Sequence, residues 1–284
     1  MTRRADYGLR LASADDALAD PRGCVPPAWR DLMPAGETTA LYFGTEFCED
    51  RLPEAEEAEA FCARAGDAGI EATLLTPLVS PAGLERTARL LDALDARGWQ
   101  PAVVFNDWGV LELLAERHPA WPRRAGRLVN RSLRDPRAYG DQRSGAATHD
   151  ASRYARVRAF LRSLGVAALE SDADLEGGFL GDGVHADDGV ALARALHVPF
   201  TYAASGRGCP LKAALSPADG GFAKAFADPC PAPCRGRALS VARPDSALPH
   251  WRAGNTVLYE LPHEAAAGWL GRAERLVVHA SALP

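Results

Sequence analysis

The sequence of 284 residues lacks any long apolar run. No segment approaches the roughly 18 apolar residues that a membrane-spanning helix needs, so we expect no membrane span. Residues 1–21 mix Arg with Asp and contain no apolar stretch typical of a secretion signal. We therefore expect a cytoplasmic protein. Lysine is scarce too, with Lys212 and Lys224 as its two occurrences, so arginine carries nearly all of the positive charge.

Several sequence motifs are also missing. No Gly-x-Gly-x-x-Gly follows a first predicted strand, which removes the usual reason to expect a dinucleotide-binding fold. There is no P-loop, no Gly-x-Ser-x-Gly elbow and no His-Glu-x-x-His, and the seven histidines are expected to be unrelated core or surface residues. The net charge of -5 argues against a protein that coats nucleic acid, although it allows a local basic patch.

What the sequence does contain is a repeated pattern of a short apolar run followed by an amphipathic segment. Buried-strand patterns fall at residues 38–44, 70–76, 102–105, 127–129, 166–169, 198–203, 239–242, 256–261 and 276–279. Helical patterns fall at residues 53–68, 82–97, 108–117, 152–163, 187–196 and 262–270, with Asp107 as the expected N-cap of the third.

Strands that alternate with helices predict a mostly parallel sheet with right-handed crossovers. Six or more such units without a linker favour an α/β, TIM-barrel-like fold, with a doubly wound open sheet as the alternative. We predict a single barrel domain over residues 1–284, incomplete or irregular at its C-terminal end. An irregular cysteine-bearing segment is expected at about residues 205–237.

Cysteines are the residues most indicative of a site. In a long cytosolic chain, clustered cysteines more often bind metal or react than form disulfides. Cys48 and Cys209 each follow a predicted strand, and the carboxyl ends of parallel strands share one face of the fold. Cys230 and Cys234 follow in the motif Cys-Pro-Ala-Pro-Cys. Four thiolates on one face would suit an iron–sulfur cluster or structural zinc, and the alternative is a set of scattered reduced thiols.

Short blocks of sequence, in matching order, resemble the collagenase-like peptidase U superfamily. The blocks are LYFGTEFC ending at Cys48, NDWGVL beginning at Asn106, PFTY with SGRGC ending at Cys209, and the Cys230-x3-Cys234 pair. Within that superfamily the sequence is most similar to the UbiV family of ubiquinone-biosynthesis proteins. The spacing between Cys209 and Cys230 is longer than expected for that family.

The resemblance implies a barrel fold with a 4Fe-4S cluster held by Cys48, Cys209, Cys230 and Cys234. It also implies oxygen-independent hydroxylation of a small molecule such as a quinone precursor, in ubiquinone biosynthesis, within a hetero-oligomer containing a related UbiU-like chain. The alternatives are an RNA-hydroxylating relative, a structural zinc scaffold on the same thiols, and a peptidase-like protein. The long cysteine-rich signature of the proteolytic members is not visible around residues 139–148.

Catalytic residues beyond the cluster ligands are not indicated, but polar residues near strand ends are candidates for substrate binding. Residues 116–143 contain eight arginines against three acidic residues, and arginine pairs well with carboxylates and phosphates. The candidates are Asn106, Asp107, Arg131, Arg134, Arg137 and Arg207. The alternatives are a solvated arginine-rich loop and, for the Asn-Asp pair, helix capping. Glu170 and Asp172 form a carboxylate pair at another strand end, with a solvated turn as the alternative.

Overall fold

The protein is a closed barrel of eight described parallel strands, a TIM-barrel-like α/β fold as predicted. The computed structural model describes residues 5–130, 155–172, 192–214, 230, 232–235, 237–244, 246–264, 270 and 273–280. The barrel strands are β1 Ala5–Arg10, β2 Gly36–Gly44, β3 Glu71–Leu75, β4 Ala102–Phe105, β5 Arg123–Ala125, β6 Val166–Asp172, β7 Ala193–Val198 and β12 Arg275–His279. Strand β12 pairs in parallel with both β7 and β1, so the barrel is complete at the end where irregularity was expected.

A second, antiparallel sheet is inserted between β7 and β12. Its strands are β8 Phe200–Ser205, β9 Leu239–Val241, β10 His250–Ala253 and β11 Thr256–Glu260, in the order β8-β11-β10-β9. The connection from β8 to β9 contains Cys209, Cys230 and Cys234. The insertion therefore places three of the six cysteines beside the barrel rather than within its repeated strand–helix units.

Helices cover the outside of the barrel. They are α1 Pro27–Arg30, α2 Ala55–Asp67, α3 Pro81–Ala96, α4 Trp108–Arg117, α5 Ala155–Ser163 and α6 Pro210–Ala214. Side-chain caps mark the starts of two of these helices. Ser80 caps α3 by accepting from the Gly83 N–H, and Asp107 caps α4 by accepting from the Gly109 N–H. None of the described helices is long and apolar enough to cross a membrane.

Three sequence expectations about individual elements were wrong. The strand predicted at residues 127–129 lies instead at Arg123–Ala125, where Arg124 pairs with Glu170 in the barrel interior and Arg123 donates to Leu114 O on the outer side, so the strand lacks an apolar run. The described end of the helix predicted at residues 187–196 belongs to strand β7, since sheet pairing overrides the helical propensity of its alanines. The strand predicted at residues 198–203 is β8 of the second sheet rather than a barrel strand. Strands β1 and β10 were not predicted.

Alternate residues along the strands point into the barrel. The lower interior is filled by a small apolar layer of Ala40, Tyr42, Leu75, Val104, Ala195 and Val277. Gly8 lets the Tyr42 ring cross the interior, because a Cβ atom at that position would lie 2.5 Å from the ring. Leu41, Phe43, Leu74, Val103 and Phe105 belong instead to a separate hydrophobic cluster that includes Phe61 and Leu91 of helices α2 and α3.

Candidate metal centre

The carboxyl end of the barrel contains a buried network of charged side chains, here called the mouth network. It consists of Arg10, Glu46, Arg124, Arg127, Glu170, Asp172, His197 and His279, all from strand ends or the loops that follow them. All of these residues except Arg124 are buried. Three arginines face three carboxylates, so the formal charges of these six residues cancel.

Arg127 is the centre of this network. Its Nε donates to Glu46 Oε1 at 2.8 Å, its Nη2 pairs with the second oxygen of Glu46, and its Nη1 donates to Asp172 Oδ1 at 2.5 Å. Arg10 Nη1 also donates to Glu46 Oε2, at 3.1 Å. Burial alone would raise the pKa of Glu46, but Arg127, His197 and Arg10 hold that pKa well below its ordinary value. Glu46 is therefore an ionised, fully paired carboxylate.

Glu170 organises the lower half of the network. Its carboxylate accepts from Arg124 Nε at 2.6 Å and from the Tyr42 hydroxyl at 3.2 Å, and it contacts His197 Nε2 at 2.9 Å. Burial opposes ionisation of Glu170, yet Arg124 and His197 hold its pKa below the ordinary value. Glu170 and Asp172 are thus each buried in an ion pair, with Arg124 and Arg127 respectively. They do not form the solvated turn that was the alternative.

Four predicted ligands, Cys48, Cys209, Cys230 and Cys234, lie in the same region beside this mouth. Burial raises the pKa of Cys48 to about 12; a hydrogen bond with the Asp50 backbone opposes the rise, and the neighbouring Asp50, Cys234 and Cys209 side chains add to it. Burial also raises the pKa of Cys230; the Ala232 backbone and Lys212 oppose the rise, whereas Asp50 and Cys209 add to it. Cys48 is thus within electrostatic range of Cys209 and Cys234, and Cys230 of Cys209, although they come from two distant parts of the chain. These four thiols are here called the thiol group. The remaining cysteines, Cys24 and Cys62, show no such coupling to the group.

The loops that carry the thiol group are held together by side-chain contacts. Lys212 Nζ, in α6, donates to Asp50 Oδ2 at 3.0 Å and so joins the turn after Cys209 to the turn after Cys48. The Arg127 guanidinium lies 5.2 Å from the centre of the Phe47 ring, which also packs against Tyr202 at 5.3 Å. Phe47 immediately precedes Cys48. The mouth network and the thiol group are therefore adjacent.

The donor set suits a metal centre of the soft, thiolate-bound kind. Like-charged thiolates that gather in a buried place raise one another's pKa, and a bound metal cation would reverse that effect. Among the described residues, no three His, Cys, Asp and Glu side chains are placed so that they could hold a metal ion as they stand. The fit rests on four thiols at one end of the barrel and not on a preformed coordination sphere, and metal binding stays a prediction.

The structure accounts for the other polar candidates in different ways. Asn106 is buried and tied to main chain, because its Nδ2 donates to Thr76 O at 2.8 Å and its Oδ1 accepts from the Leu128 N–H at 2.9 Å. Asp107 caps α4, and Arg207 Nη2 donates to Val79 O at 2.9 Å. Arg131, Arg134 and Arg137 lie outside the described residues. A role in substrate binding stays a prediction for all six.

Sequence reasoning missed most of the mouth network. Arg123, Arg124 and Arg127 belong to the arginine-rich stretch, yet all three are anchored inside the fold rather than free for an anionic ligand. His197 and His279 were expected to be unrelated to each other, but their rings are 6.2 Å apart in the mouth network. The available signal was a charged residue at every second position of a strand, as in Glu170 and Asp172 of β6.

A second feature of this region is a groove of about 690 Å³ that reaches Cys230. Helix α3 lines it with Arg86 and Arg89, and the start of α2 lines the opposite side with Glu54 and Glu56. Cys230 is half-buried, whereas Cys209 and Cys234 are 5% and 3% exposed. Cys230 is therefore the member of the thiol group that borders the groove.

No protein family and no curated protein matches the chain in sequence. Among solved structures, the chain is similar to the U32 peptidase Mk0906, at 14% identity and a TM-score of 0.47, over 100% of this chain and 96% of that one. It is also similar to a family GH18 chitinase from Cycas revoluta, in complex with allosamidin, at 10% identity and a TM-score of 0.36, over 95% and 94% of the two chains. A glycoside hydrolase family 18 N-acetylglucosaminidase from Paenibacillus barengoltzii gives 11% identity and a TM-score of 0.36, over 97% and 94%. Likenesses this distant carry no argument about activity.

Proposed function

We propose that this protein is an iron–sulfur component of an oxygen-independent hydroxylation system, similar to the UbiV family, with Cys48, Cys209, Cys230 and Cys234 as ligands of a 4Fe-4S cluster. The observation that carries the proposal is the gathering of four thiols beside the barrel mouth, from loops about 160 residues apart in sequence. The short sequence blocks that resemble the peptidase U superfamily support the same assignment. Ubiquinone precursors are the substrate class that this resemblance suggests.

When bound, the cluster would supply one-electron redox chemistry. The chain's own contribution is to hold and shield the ligands. Cys209 and Cys234 are nearly excluded from solvent, and the Lys212–Asp50 ion pair closes the side next to Cys209. In the adjacent mouth network the arginines and carboxylates are engaged with one another, so they offer a fixed polar floor rather than a free general acid or base.

A related UbiU-like chain is the proposed partner. The polar groups that the described residues bring to the barrel mouth are largely engaged with one another, as Arg127 and Glu46 illustrate. A second subunit would supply groups for substrate that this chain does not offer in its mouth network. Co-purification of the complex from a host that expresses both chains, under anaerobic conditions, tests this part of the proposal.

Metal and sulfide analysis after anaerobic purification tests the cofactor assignment. We expect about four iron and four sulfide per chain, with absorbance near 400 nm that air exposure bleaches. One zinc per chain without sulfide would establish the scaffold alternative, since zinc has no redox chemistry. A preparation with neither metal, under conditions that load a known iron–sulfur protein, would refute both. Salt-sensitive binding to RNA would instead favour the RNA-hydroxylating alternative.

A further inference from the structure

The turn between β10 and β11 contacts the loops that carry three of the four thiols. Asn255, at this turn, is 7% exposed. Its Nδ2 donates to the main-chain oxygen of Phe47 at 2.6 Å and to that of Gly206 at 2.7 Å. Phe47 immediately precedes Cys48, and Gly206 lies three residues before Cys209. One side-chain amide therefore joins two loops that are far apart in sequence.

The orientation of this amide is fixed by its neighbours. Asn255 Oδ1 accepts from the Thr256 hydroxyl at 3.1 Å, and that hydroxyl also contacts Ser205 Oγ at 3.2 Å. The Gly206 N–H returns a hydrogen bond to the Asn255 carbonyl at 3.3 Å. Both Nδ2 hydrogens are thus directed at carbonyl oxygens, and a flipped amide would oppose oxygen to oxygen.

The same turn contacts the third thiol. Gly254 has φ +63°, and a Cβ atom built there would lie 3.3 Å from Cys234 Sγ and 3.7 Å from Cys234 Cβ. The absence of a side chain at Gly254 lets Cys234 pack directly on the turn. Asn255 and Gly254 together form a contact point for the segments of Cys48, Cys209 and Cys234.

We propose that Asn255 is a positioning residue that sets the spacing of the Cys48, Cys209 and Cys234 sulfur atoms. The inference rests on the proposed function only in taking these thiols as ligands of a 4Fe-4S cluster. The spacing of the thiols can be measured in the chain without cofactor. Asn255 acts through its two donated hydrogen bonds, so an isosteric residue that cannot donate should let the Cys48 and Cys209 loops separate. Cys230 has no contact with this turn among the described residues and should be affected least.

The test measures thiol proximity in the cofactor-free, reduced full-length protein. A trivalent arylarsenical binds tightly where two thiols approach each other, so its affinity reports their spacing. Asn255→Asp keeps the shape of the side chain and removes both donors. We expect at least a tenfold loss of arsenical affinity relative to the wild type, with helical circular dichroism retained.

Asn130→Asp is the matched control. Asn130 is also a buried amide, 2% exposed, whose Nδ2 donates to Glu170 O at 3.2 Å and to Ser171 Oγ at 2.9 Å in β6. We expect this variant to keep wild-type arsenical affinity. Equal affinity in Asn255→Asp and the wild type would overturn the proposal. So would equal losses in both variants, because that result would mean general loosening.

A milder variant covers the case in which Asn255→Asp does not fold. Thr256→Val removes the hydroxyl that orients the amide and changes the side chain little, so about a threefold loss of arsenical affinity is expected. No loss would overturn the proposal.

Anaerobic reconstitution with iron and sulfide separates the positioning role of Asn255 from the cofactor assignment. If the wild type takes up no cluster while Asn255→Asp still loses arsenical affinity, positioning holds and the cofactor assignment fails. If the variant reconstitutes and binds arsenical like the wild type, positioning fails alone.

Discussion

The mouth network and the thiol group are both buried and both rich in ionisable groups, yet their electrostatics are opposite. In the mouth network, opposite charges offset the cost of burial, so the pKa values of Glu46 and Glu170 are held low. In the thiol group, burial is the largest influence and is offset only in part by backbone N–H groups and, at Cys230, by Lys212, so the pKa values of Cys48 and Cys230 rise. The carboxylates of the mouth network thus have cationic partners within this chain, whereas the burial of the thiols is offset only in part by the described residues, which is the situation that the proposed metal would relieve.

Removing the central cation of the mouth network should have the largest effect. Arg127→Met leaves Glu46 and Asp172 buried without their main partner, and breaking a buried ion pair in this way costs about 3–5 kcal/mol. We expect a loss of that size in urea denaturation, or failure to fold. Arg97→Ala is the control, because Arg97 pairs with Glu56 and Glu59 at the surface and its loss should leave stability nearly unchanged. Similar stability of the two variants would contradict the conclusion that Arg127 stabilises the buried carboxylates Glu46 and Asp172.

Changing the thiols should remove the cofactor and leave the barrel folded. Single Cys→Ala changes at Cys48, Cys209, Cys230 or Cys234 are each expected to abolish or strongly reduce iron and sulfide content and visible absorbance after anaerobic reconstitution. Cys24→Ala should retain the full content, since Cys24 lies outside the thiol group. Full cluster content in any of the four variants would remove that cysteine from the ligand set.

Acid should destabilise the mouth network in two stages. Burial, and then the charges of Arg10, His197 and Arg127, hold the pKa of His279 well below 6.5, while Glu46 partly opposes them. The unfolded chain therefore binds a proton at His279 that the folded chain excludes, and stability falls as pH drops below about 6.5. Glu46 and Glu170 have lowered pKa values, so their contribution is present above about 4.5 and is lost as pH falls further.

His279→Gln separates these stages. The variant should lose the pH dependence between about 6.5 and 4.5 and keep the steeper loss below it. Thermal denaturation over that pH range measures both. If the variant still loses stability between about pH 6.5 and 4.5, that loss must be assigned to a group other than His279.

The smallest effect is expected at Asp107. Asp107→Ala removes the N-cap of α4, which costs about 0.5–2 kcal/mol. Iron and sulfide content should be unchanged, because Asp107 contacts Gly109 and Val79 and no cysteine among the described residues. Loss of substrate binding with stability intact would instead restore Asp107 as a substrate contact.

The sequence predicts the barrel better than it predicts the mouth network. Periodicity identifies strands that are apolar on both faces, such as β4, because both sides of a barrel wall are buried. It fails at β5, Arg123–Ala125, where arginines on both faces interrupt the apolar run, and at β7, where alanines mimic a helix. The cysteines stand out from sequence because their chemistry is rare. Arg127 does not stand out from sequence, because its partners Glu46 and Asp172 are 81 and 45 residues away along the chain.

The position of β12 also governs when the barrel can form. β12, Arg275–His279, pairs with the first strand of the barrel and with β7, so both of those strands keep an open edge until residues 275–279 have left the ribosome. All four cysteines of the thiol group precede that strand and are synthesised before closure. Contacts of such long sequence separation slow folding. The nascent chain therefore passes through a stage in which all four thiols have been synthesised while the barrel is still open.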